Sequence, residues 1–451
     1  MRLPAMRPSA RLVKLATGLC AAALAVSAGR IWLPELQPPL VMLWWTAGAA
    51  LLGGMLLDAL TGYRVPGLDG NRQLARNLAL GVRSTVTLEM ENLGERRLRL
   101  ETCDQVPPQL AAAGLPREVE LQPGQAARVE YPVTPQRRGQ ARFGRIEALV
   151  SSPWGLWQKK VTLGEPTSAR VYPDFLGVSS LQALSTEQSL RYLGLNQQQR
   201  RGEGMDFHQL REYRRGDSQR QVDWRASARL RRLISREYQD ERDQQIIYLL
   251  DCGRRMRARD DGYSHFDHAL NALLLSAYVA VRQGDAVGLQ AFATGNGQRR
   301  ARLAPTRGDD SINLLLNHVY DLHTSTAHSD YSTAARELME SQQKRALVVL
   351  VTNLRDEDSD ELLAAVELLS RRHLVMVASL RERALDELVR SPVEEFPAAL
   401  EHLATVDLVQ RRQRLLQHLR ARNVIVADAR PERMHLALVE NYWRLKRSGR
   451  L

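Results

Sequence analysis

The run "QQIIYLLD", residues 244–251, decides the fold of the second half of the chain. Its apolar residues follow one another without a polar interruption, which is typical of a strand buried on both faces of a parallel sheet. The run ends on Asp251, so a carboxylate stands at the carboxyl end of the predicted strand. Four further strand-like runs follow: "DAVGLQAFAT" (285–294), "RALVVLVTN" (345–353), "HLVMVASL" (373–380) and "NVIVADA" (423–429).

Segments with helical periodicity separate these runs. They are "FDHALNALLLSAYVAVRQG" (266–284), "YSTAARELMESQQK" (331–344), "SDELLAAVELLSRR" (359–372) and "PERMHLALVENYWRLKR" (431–447). Alternation of strands and helices favours a doubly wound, mostly parallel sheet with helices on both faces. The sequence therefore predicts an α/β domain over residues 244–451.

Upstream, residues 63–172 have a different pattern. Apolar and polar residues alternate in "LALGVRSTVTLEMENLG" and "ARVEYPVTP", and turn residues such as Pro123-Gly124 lie between the runs. Period-two alternation with frequent turns is typical of short antiparallel strands. We expect a β-sandwich of immunoglobulin-like size here.

The amino-terminal residues 1–62 contain two uncharged apolar runs, at 15–29 and 40–57. The second is long enough for a transmembrane helix, and the first becomes so with the residues around it. Basic residues flank the outer ends of both runs, which predicts a two-helix hairpin in the inner membrane with the rest of the chain in the cytoplasm. Cleavage of the first run as a signal peptide after Ala28 is the alternative, and it leaves the same residues in the cytoplasm. The chain's three cysteines form no CxxC pair, which agrees with a reducing compartment.

Polar residues follow the predicted strands of the α/β domain, where ligands bind in open sheets. The layout resembles the metal site of von Willebrand factor A-like domains, whose first loop reads Asp-x-Ser-x-Ser. The residues of the corresponding degenerate site are Asp251, Gly253, Ser329, Asp330, Asn353 and Asp356. Glycine and arginine replace the two serines of the first loop, and an amide replaces a carboxylate later. Because dications prefer several charged oxygen ligands, we expect no cofactor and no tightly bound Mg²⁺. Asp251 would then pair with a nearby arginine or cap a helix.

Residues 173–243 carry the most specific motif of the chain. It comprises Arg211, Tyr213, Arg214, Arg215, Gly216, Asp217, Arg220, Asp223, Trp224, Ser227 and Arg229. Residues 200–242 hold twelve arginines and eight acidic residues, a net charge of +4. Such a mixture differs from a bare phosphate-binding strip. We expect this segment to act mainly as a joint that docks on the α/β domain, with Trp224 as its apolar anchor; exposed arginines that receive an acidic partner are the sharper alternative.

This motif resembles the signature of the DUF58 family of von Willebrand factor A-like proteins, and the resemblance extends over the whole chain. It implies a membrane-anchored protein that works with a MoxR-type AAA+ ATPase and an unidentified client in chaperone-like assembly. Motifs of ATPases, zinc proteases and dinucleotide-binding enzymes are missing from the sequence. His265 and His268 have helical spacing but lack further zinc ligands, so a structural pair is expected.

We therefore expect a non-enzymatic protein-interaction factor. The formal net charge of +12 keeps a nucleic-acid-binding membrane protein as the alternative function. A hydrolase that uses Asp251 and Asp330 has only scattered carboxylates in its favour.

Overall fold

The computed structural model describes residues 6–29, 37–62, 67–174, 206–214, 222–239, 244–260, 262–295, 301–355, 357, 359–393 and 395–451. The chain divides into two compact units, Met1–Val171 and Tyr172–Leu451. The finer domain boundaries predicted from the sequence stay predictions.

The first unit begins with a short strand and two long apolar helices, β1 (Met6–Pro8), α1 (Ala10–Gly29) and α2 (Gln37–Gly62). Both helices have the length and hydropathy to cross a membrane, over Ala10–Ala28 and Pro38–Gly62. Their apolar side chains are largely exposed in the folded protein. This pattern supports membrane anchoring, because a core helix of a soluble protein would be buried.

Antiparallel strands form the rest of the first unit. They are β2 (Leu68–Gln73), β3 (Asn77–Ala79), β4 (Ser84–Asn92), β5 (Leu98–Asp104), β6 (Leu110–Ala112), β7 (Arg117–Leu121), β8 (Ala126–Pro135), β9 (Gly139–Phe143), β10 (Ile146–Ser151), β11 (Trp157–Leu163) and β12 (Thr167–Tyr172). One sheet has the order β1-β11-β10-β5-β7, a second β2-β4-β8-β6 and a third β3-β12-β9.

The two larger sheets share one apolar core, to which β4 and β8 contribute from one sheet and β5 and β10 from the other. Alternate residues of these strands are buried, as Ile146, Ala148 and Val150 are in β10, because successive side chains point to opposite faces. Two antiparallel sheets on one core fit the expected β-sandwich, and the third sheet was not predicted. The sequence did not predict β1, which pairs with β11 from Met6 opposite Lys159 to Pro8 opposite Trp157.

The second unit begins with a hairpin of β13 (Asp206–Glu212) and β14 (Ile234–Gln239), between which lies the short helix α3 (Trp224–Leu230). The other strands are β15 (Gln245–Asp251), β16 (Arg259–Asp260), β17 (Tyr263–Ser264), β18 (Ala286–Phe292), β19 (Arg302–Thr306), β20 (Leu347–Thr352), β21 (Leu374–Leu380) and β22 (Ile425–Ala429). The helices are α4 (His265–Arg282), α5 (Asp310–Val319), α6 (Tyr331–Ser341), α7 (Ser359–Ser370), α8 (Arg383–Arg390), α9 (Phe396–Ala421) and α10 (Met434–Arg447), with 3₁₀ turns at Arg254–Arg257 and Pro431–Arg433.

Six of these strands form one sheet of order β19-β18-β15-β20-β21-β22. All neighbours are parallel except β18 and β19. One apolar core lies between the sheet and α4, α5 and α10, and a second lies between the opposite face and α6, α7 and α9. Helices on both faces bury the central strands completely, which explains the uninterrupted apolar run of β15.

Candidate functional site

Asp251 is the last residue of β15 and is completely buried. Its strand lies between β18, the next strand of the sheet along the chain, and β20. The strand order therefore reverses between β15 and β20, and open α/β sheets bind ligands in the crevice at such a point. Asp251 thus lies where the fold places functional residues.

The Asp251 carboxylate accepts hydrogen bonds from three protein groups. The Gly253 N–H donates to Oδ1 at 2.7 Å, and the Thr352 hydroxyl donates to Oδ2 at 2.7 Å. The Ser329 hydroxyl lies 2.8 and 2.9 Å from the two carboxylate oxygens. Burial raises the pKa of Asp251, and these hydrogen bonds oppose the rise because they favour the carboxylate. Asp251 thus connects the loop after β15, the loop before α6 and the end of β20 at the carboxyl ends of the strands.

Gly253 is tightly enclosed by the same groups. A Cβ atom at this position would overlap the Ser329 hydroxyl and would lie 3.0 Å from Asp251 Oδ1 and 3.1 Å from the Ala327 carbonyl oxygen. The Gly253 φ angle of −72° suits any residue, so space and not backbone conformation requires glycine. A serine side chain, which the von Willebrand pattern has here, requires the Ser329 hydroxyl to move.

Asn353 and Asp330 do not contact Asp251 in the way that the sequence pattern implied. The Asn353 amide donates to Glu382 Oε1 at 2.8 Å and lies 3.3 Å from His265 Nδ1.

Asp330 caps α6 by accepting a hydrogen bond from the Thr333 N–H at 2.8 Å, and this bond lowers the pKa of Asp330. Asp356 lies outside the described residues. Thr352, which the sequence reasoning passed over, is the residue of this strand end that reaches Asp251.

A second polar network continues from Asn353. The ring of His265 is fully buried, and its Nε2 lies 2.8 Å from Asp260 Oδ2. Glu382 also accepts from Arg355 Nη2 at 2.5 Å. His265 begins α4, where burial and a carboxylate partner fix its ring. These contacts agree with the structural role expected for this histidine.

The described donor groups around Asp251 are few for a divalent cation, and the absence of tightly bound Mg²⁺ stays a prediction. These groups are one carboxylate and the hydroxyls of Ser329 and Thr352, and the missing side chain of Gly253 cannot be restored without displacing Ser329. No cluster of three or more His, Cys, Asp or Glu residues with metal-binding geometry occurs among the residues that the structure describes. Mg²⁺ and Ca²⁺ favour more, and more highly charged, oxygen ligands than this.

The signature segment forms a small structure of its own. Asp223 caps α3 by accepting from the Ala226 N–H at 3.0 Å, and the Ser227 hydroxyl accepts from the Ile234 N–H at 2.9 Å. Ala226, Ser227 and Ile234 are buried, so this short helix is closed against β14. The segment thus has a local hydrogen-bonded core, and its docking on the α/β domain as a joint stays a prediction.

Trp224 differs from expectation. Its side chain is 68% exposed, so it is not the buried apolar anchor of the segment. It is the first residue of α3 and points away from the side that packs on β14, where small residues are buried. Arg211 and Tyr213 are partly buried, whereas Arg214 and Arg229 are exposed. Arg215, Gly216, Asp217 and Arg220 lie outside the described residues.

A family model described as "Protein of unknown function DUF58" matches residues 209–421. The match supports the DUF58 family. It includes the signature, Asp251 and its partners, and most of the six-stranded sheet. No curated protein matches the chain.

Three solved structures that are similar to part of this chain each cover about a quarter of it. A FixG-related protein from Vibrio parahaemolyticus has 11% identity and a TM-score of 0.18 over 24% of this chain and 98% of its own. A PapD-like domain of human CEP192 has 13% identity and a TM-score of 0.18 over 24% of this chain and 88% of its own. A CARDB domain of the PF1109 protein from Pyrococcus furiosus, in complex with di-metal ions, has 17% identity and a TM-score of 0.17 over 24% and 88%. Scores this low carry no argument about fold or function.

Proposed function

We propose that this DUF58 chain is a membrane-anchored, non-enzymatic interaction factor that works with a MoxR-type AAA+ ATPase in chaperone-like maturation of protein complexes. Its α/β sheet would be a von Willebrand factor A-like domain in the cytoplasm that binds the ATPase or its client. The order of the six strands, third-second-first-fourth-fifth-sixth along the chain, is that of a doubly wound α/β sheet, the fold class to which this assignment belongs.

One observation carries the proposal: an apolar surface on the helices α8 and α9 and the turn between them. Its exposed residues are Leu388, Val389, Val393, Phe396, Leu400 and Leu403. Phe396 is 77% exposed, and the spacing of Phe396, Leu400 and Leu403 places them on one face of α9. Contiguous exposed apolar residues rimmed by charge mark protein-binding surfaces. The same helix buries Leu415, Leu416 and Leu419 of its second half in the domain core, so its exposed leucines lie in the first half.

The environment of Asp251 points in the same direction. A catalytic carboxylate needs a route to a substrate, but Asp251 is fully buried and accepts hydrogen bonds from Gly253, Ser329 and Thr352. Such an arrangement favours a structural role for Asp251 at the carboxyl ends of the central strands. The apolar surface of α8 and α9 is then the better candidate for the surface that binds a partner protein.

The test is co-purification of the MoxR-type ATPase with full-length protein extracted in detergent. Phe396→Ser combined with Leu403→Ser should reduce recovered ATPase about tenfold, which corresponds to about 1.4 kcal/mol of binding free energy. Both side chains are exposed, so the melting temperature should change little.

The matched control is Gln413→Ser with Gln417→Ser, two exposed polar positions of the same helix. This variant should retain the ATPase. Equal ATPase recovery from the apolar variant, the control and the unaltered protein would exclude α9 as the partner surface.

A further inference from the structure

The loop that joins β10 to β11, residues 152–156, lies along the last turns of α2. A Cβ atom at Gly62 would be 3.1 Å from Ser152 Cβ, and one at Gly54 would be 3.6 Å from the Trp154 ring. These glycines are eight positions apart, which is about 12 Å along a helix that rises 1.5 Å per residue. The loop therefore follows two turns of α2 toward its middle.

Asp58 of α2 holds the backbone of this loop. Its carboxylate accepts hydrogen bonds from the Ser152 hydroxyl, from the Trp154 N–H at 2.9 Å and from the Leu156 N–H at 3.0 Å. Asp58 is only 1% exposed, although it lies in an otherwise apolar helix. Loop donors thus satisfy a charge that would be costly in hydrocarbon.

Three further hydrogen bonds connect the loop and the first residue of β11 to α2 and to Ser9. The Trp157 indole N–H donates to the Met55 carbonyl oxygen at 3.0 Å. Ser9, just before α1, donates through its hydroxyl to the Gly155 carbonyl oxygen at 2.6 Å and through its N–H to that of Leu156 at 2.8 Å. The position of the loop along the helices is therefore fixed.

The outer side of the loop has the composition of a membrane interface. Pro153 and Trp154 are exposed. Trp154 lies beside Gly54, which belongs to the uncharged run 40–57 of α2. Arg11 and Lys14 of α1 are exposed as well, and Arg11 lies 3.4 Å from the Cβ position of Gly155. Indole rings favour the interface between water and hydrocarbon, and long basic side chains extend from there to lipid phosphates.

We propose that the loop 152–156 is seated in the interfacial layer of the bilayer that α1 and α2 span, with Trp154 facing lipid. The inference rests on the membrane anchoring in the proposed function and adds a lipid contact made by the β-sheet domain itself. Because the loop is bonded to α2 through Asp58, this contact holds β10 and β11 at the membrane surface.

The test is tryptophan fluorescence of the full-length protein reconstituted into bilayers that contain brominated phosphatidylcholine, which quenches nearby indoles. Trp154→Phe should lower the lipid-quenched part of the emission relative to the unaltered protein. Trp443→Phe, which changes a partly buried residue of α10, should leave that part unchanged. Trp154→Tyr serves as a second variant that keeps an interfacial ring.

The outcomes separate the loop from the anchor. Persistent quenching of Trp44 and Trp45 with no contribution from Trp154 would overturn the loop proposal and leave α2 in the bilayer. If no tryptophan is quenched, membrane anchoring fails, and the loop proposal fails with it. Quenching of Trp154 by aqueous acrylamide but not by lipid would show that it faces water. Protection from both quenchers would show a protein partner or a second copy in place of lipid.

Discussion

At the scale of single residues, the closest packing around Asp251 occurs at Gly253. We predict that Gly253→Ala lowers the free energy of unfolding by about 1–3 kcal/mol, because the added Cβ meets the Ser329 hydroxyl and the Ala327 carbonyl oxygen. Chemical denaturation of the detergent-solubilised protein measures the change.

A double-mutant cycle with Ser329→Ala identifies the cause. The single Ser329→Ala change removes a donor to Asp251 and should cost about 1–3 kcal/mol. The double variant should be less destabilised than the sum of the single variants, because the obstructing hydroxyl is gone. Strict additivity would show that the glycine is required for a reason other than its contact with Ser329.

His373 is predicted to make the α/β domain sensitive to acid. It is buried before β21, and neither ring nitrogen has a hydrogen-bond partner in the part of the chain that the structure describes. Burial, with the charge of Arg372, lowers the pKa of His373. The unfolded chain takes up this proton below a pH of about 6.5, whereas the folded chain resists it, so stability is lost as pH falls through this range.

The variant His373→Leu should remove that loss. Its free energy of unfolding should exceed that of the unaltered protein by an amount that grows as the pH falls from about 7 to about 5. His418→Leu, an exposed position on α9, is the control and should not alter the pH dependence. A constant difference at every pH would mean that leucine acts through packing alone.

At the scale of elements, we predict that one residue of the short helix α3 affects stability and another affects binding. Ser227→Ala should destabilise the segment by about 1–3 kcal/mol, because the buried Ile234 N–H loses its acceptor. Trp224→Ala should change stability by no more than about 0.5 kcal/mol, since the ring is largely exposed, and should weaken binding of the ATPase.

Melting curves and ATPase co-purification of both variants check this division. Arg229→Ala, an exposed position of the same helix, is the control for stability. A large drop in melting temperature for Trp224→Ala with intact binding would restore the view of Trp224 as the structural anchor of the segment.

Two of the strands that the sequence reasoning missed have atypical sequences. The edge strand β19 contains Pro305, and proline is tolerated only where a strand has no neighbour on its N–H side. Gly288 of β18 leaves room for this partner, since its Cβ position lies 2.9 Å from the Leu303 carbonyl oxygen. Strand β1 has three residues, too few for any periodicity.

At the scale of the whole molecule, the orientation in the membrane is the main expectation to test. The basic residues outside α1 and α2 predict that everything after α2 is cytoplasmic. Cys103 is exposed on β5, whereas Cys252 is buried and Cys20 lies within α1. A membrane-impermeant maleimide should therefore label Cys103 in inverted membrane vesicles and not in intact cells.

Partial desolvation and the nearby Glu147 and Asp104 carboxylates raise the pKa of the Cys103 thiol, so labelling needs mildly alkaline conditions. The variant Cys103→Ser should abolish the signal and confirm its origin. Labelling of Cys103 in intact cells would reverse the orientation and remove cytoplasmic ATPases from consideration as partners.

The sequence by itself determined what depends on local periodicity and composition. The alternation in β4 and β8 and the unbroken run of β15 predicted which side chains are buried, because burial follows from a residue's position in a strand. The length and composition of the apolar runs in α1 and α2 predicted two helices able to cross a membrane. The signature pointed to DUF58 because it is long and specific.

Tertiary structure decided which polar residues meet. The parallel pairing of β15 with β20 brings Asp251 to Thr352, while Ser329, 78 positions away in sequence from Asp251, enters from another loop. Asn353, one residue farther along, turns to Glu382 instead. No local sequence pattern predicts the strand register or the tight enclosure of Gly253, because both arise only when distant segments pack.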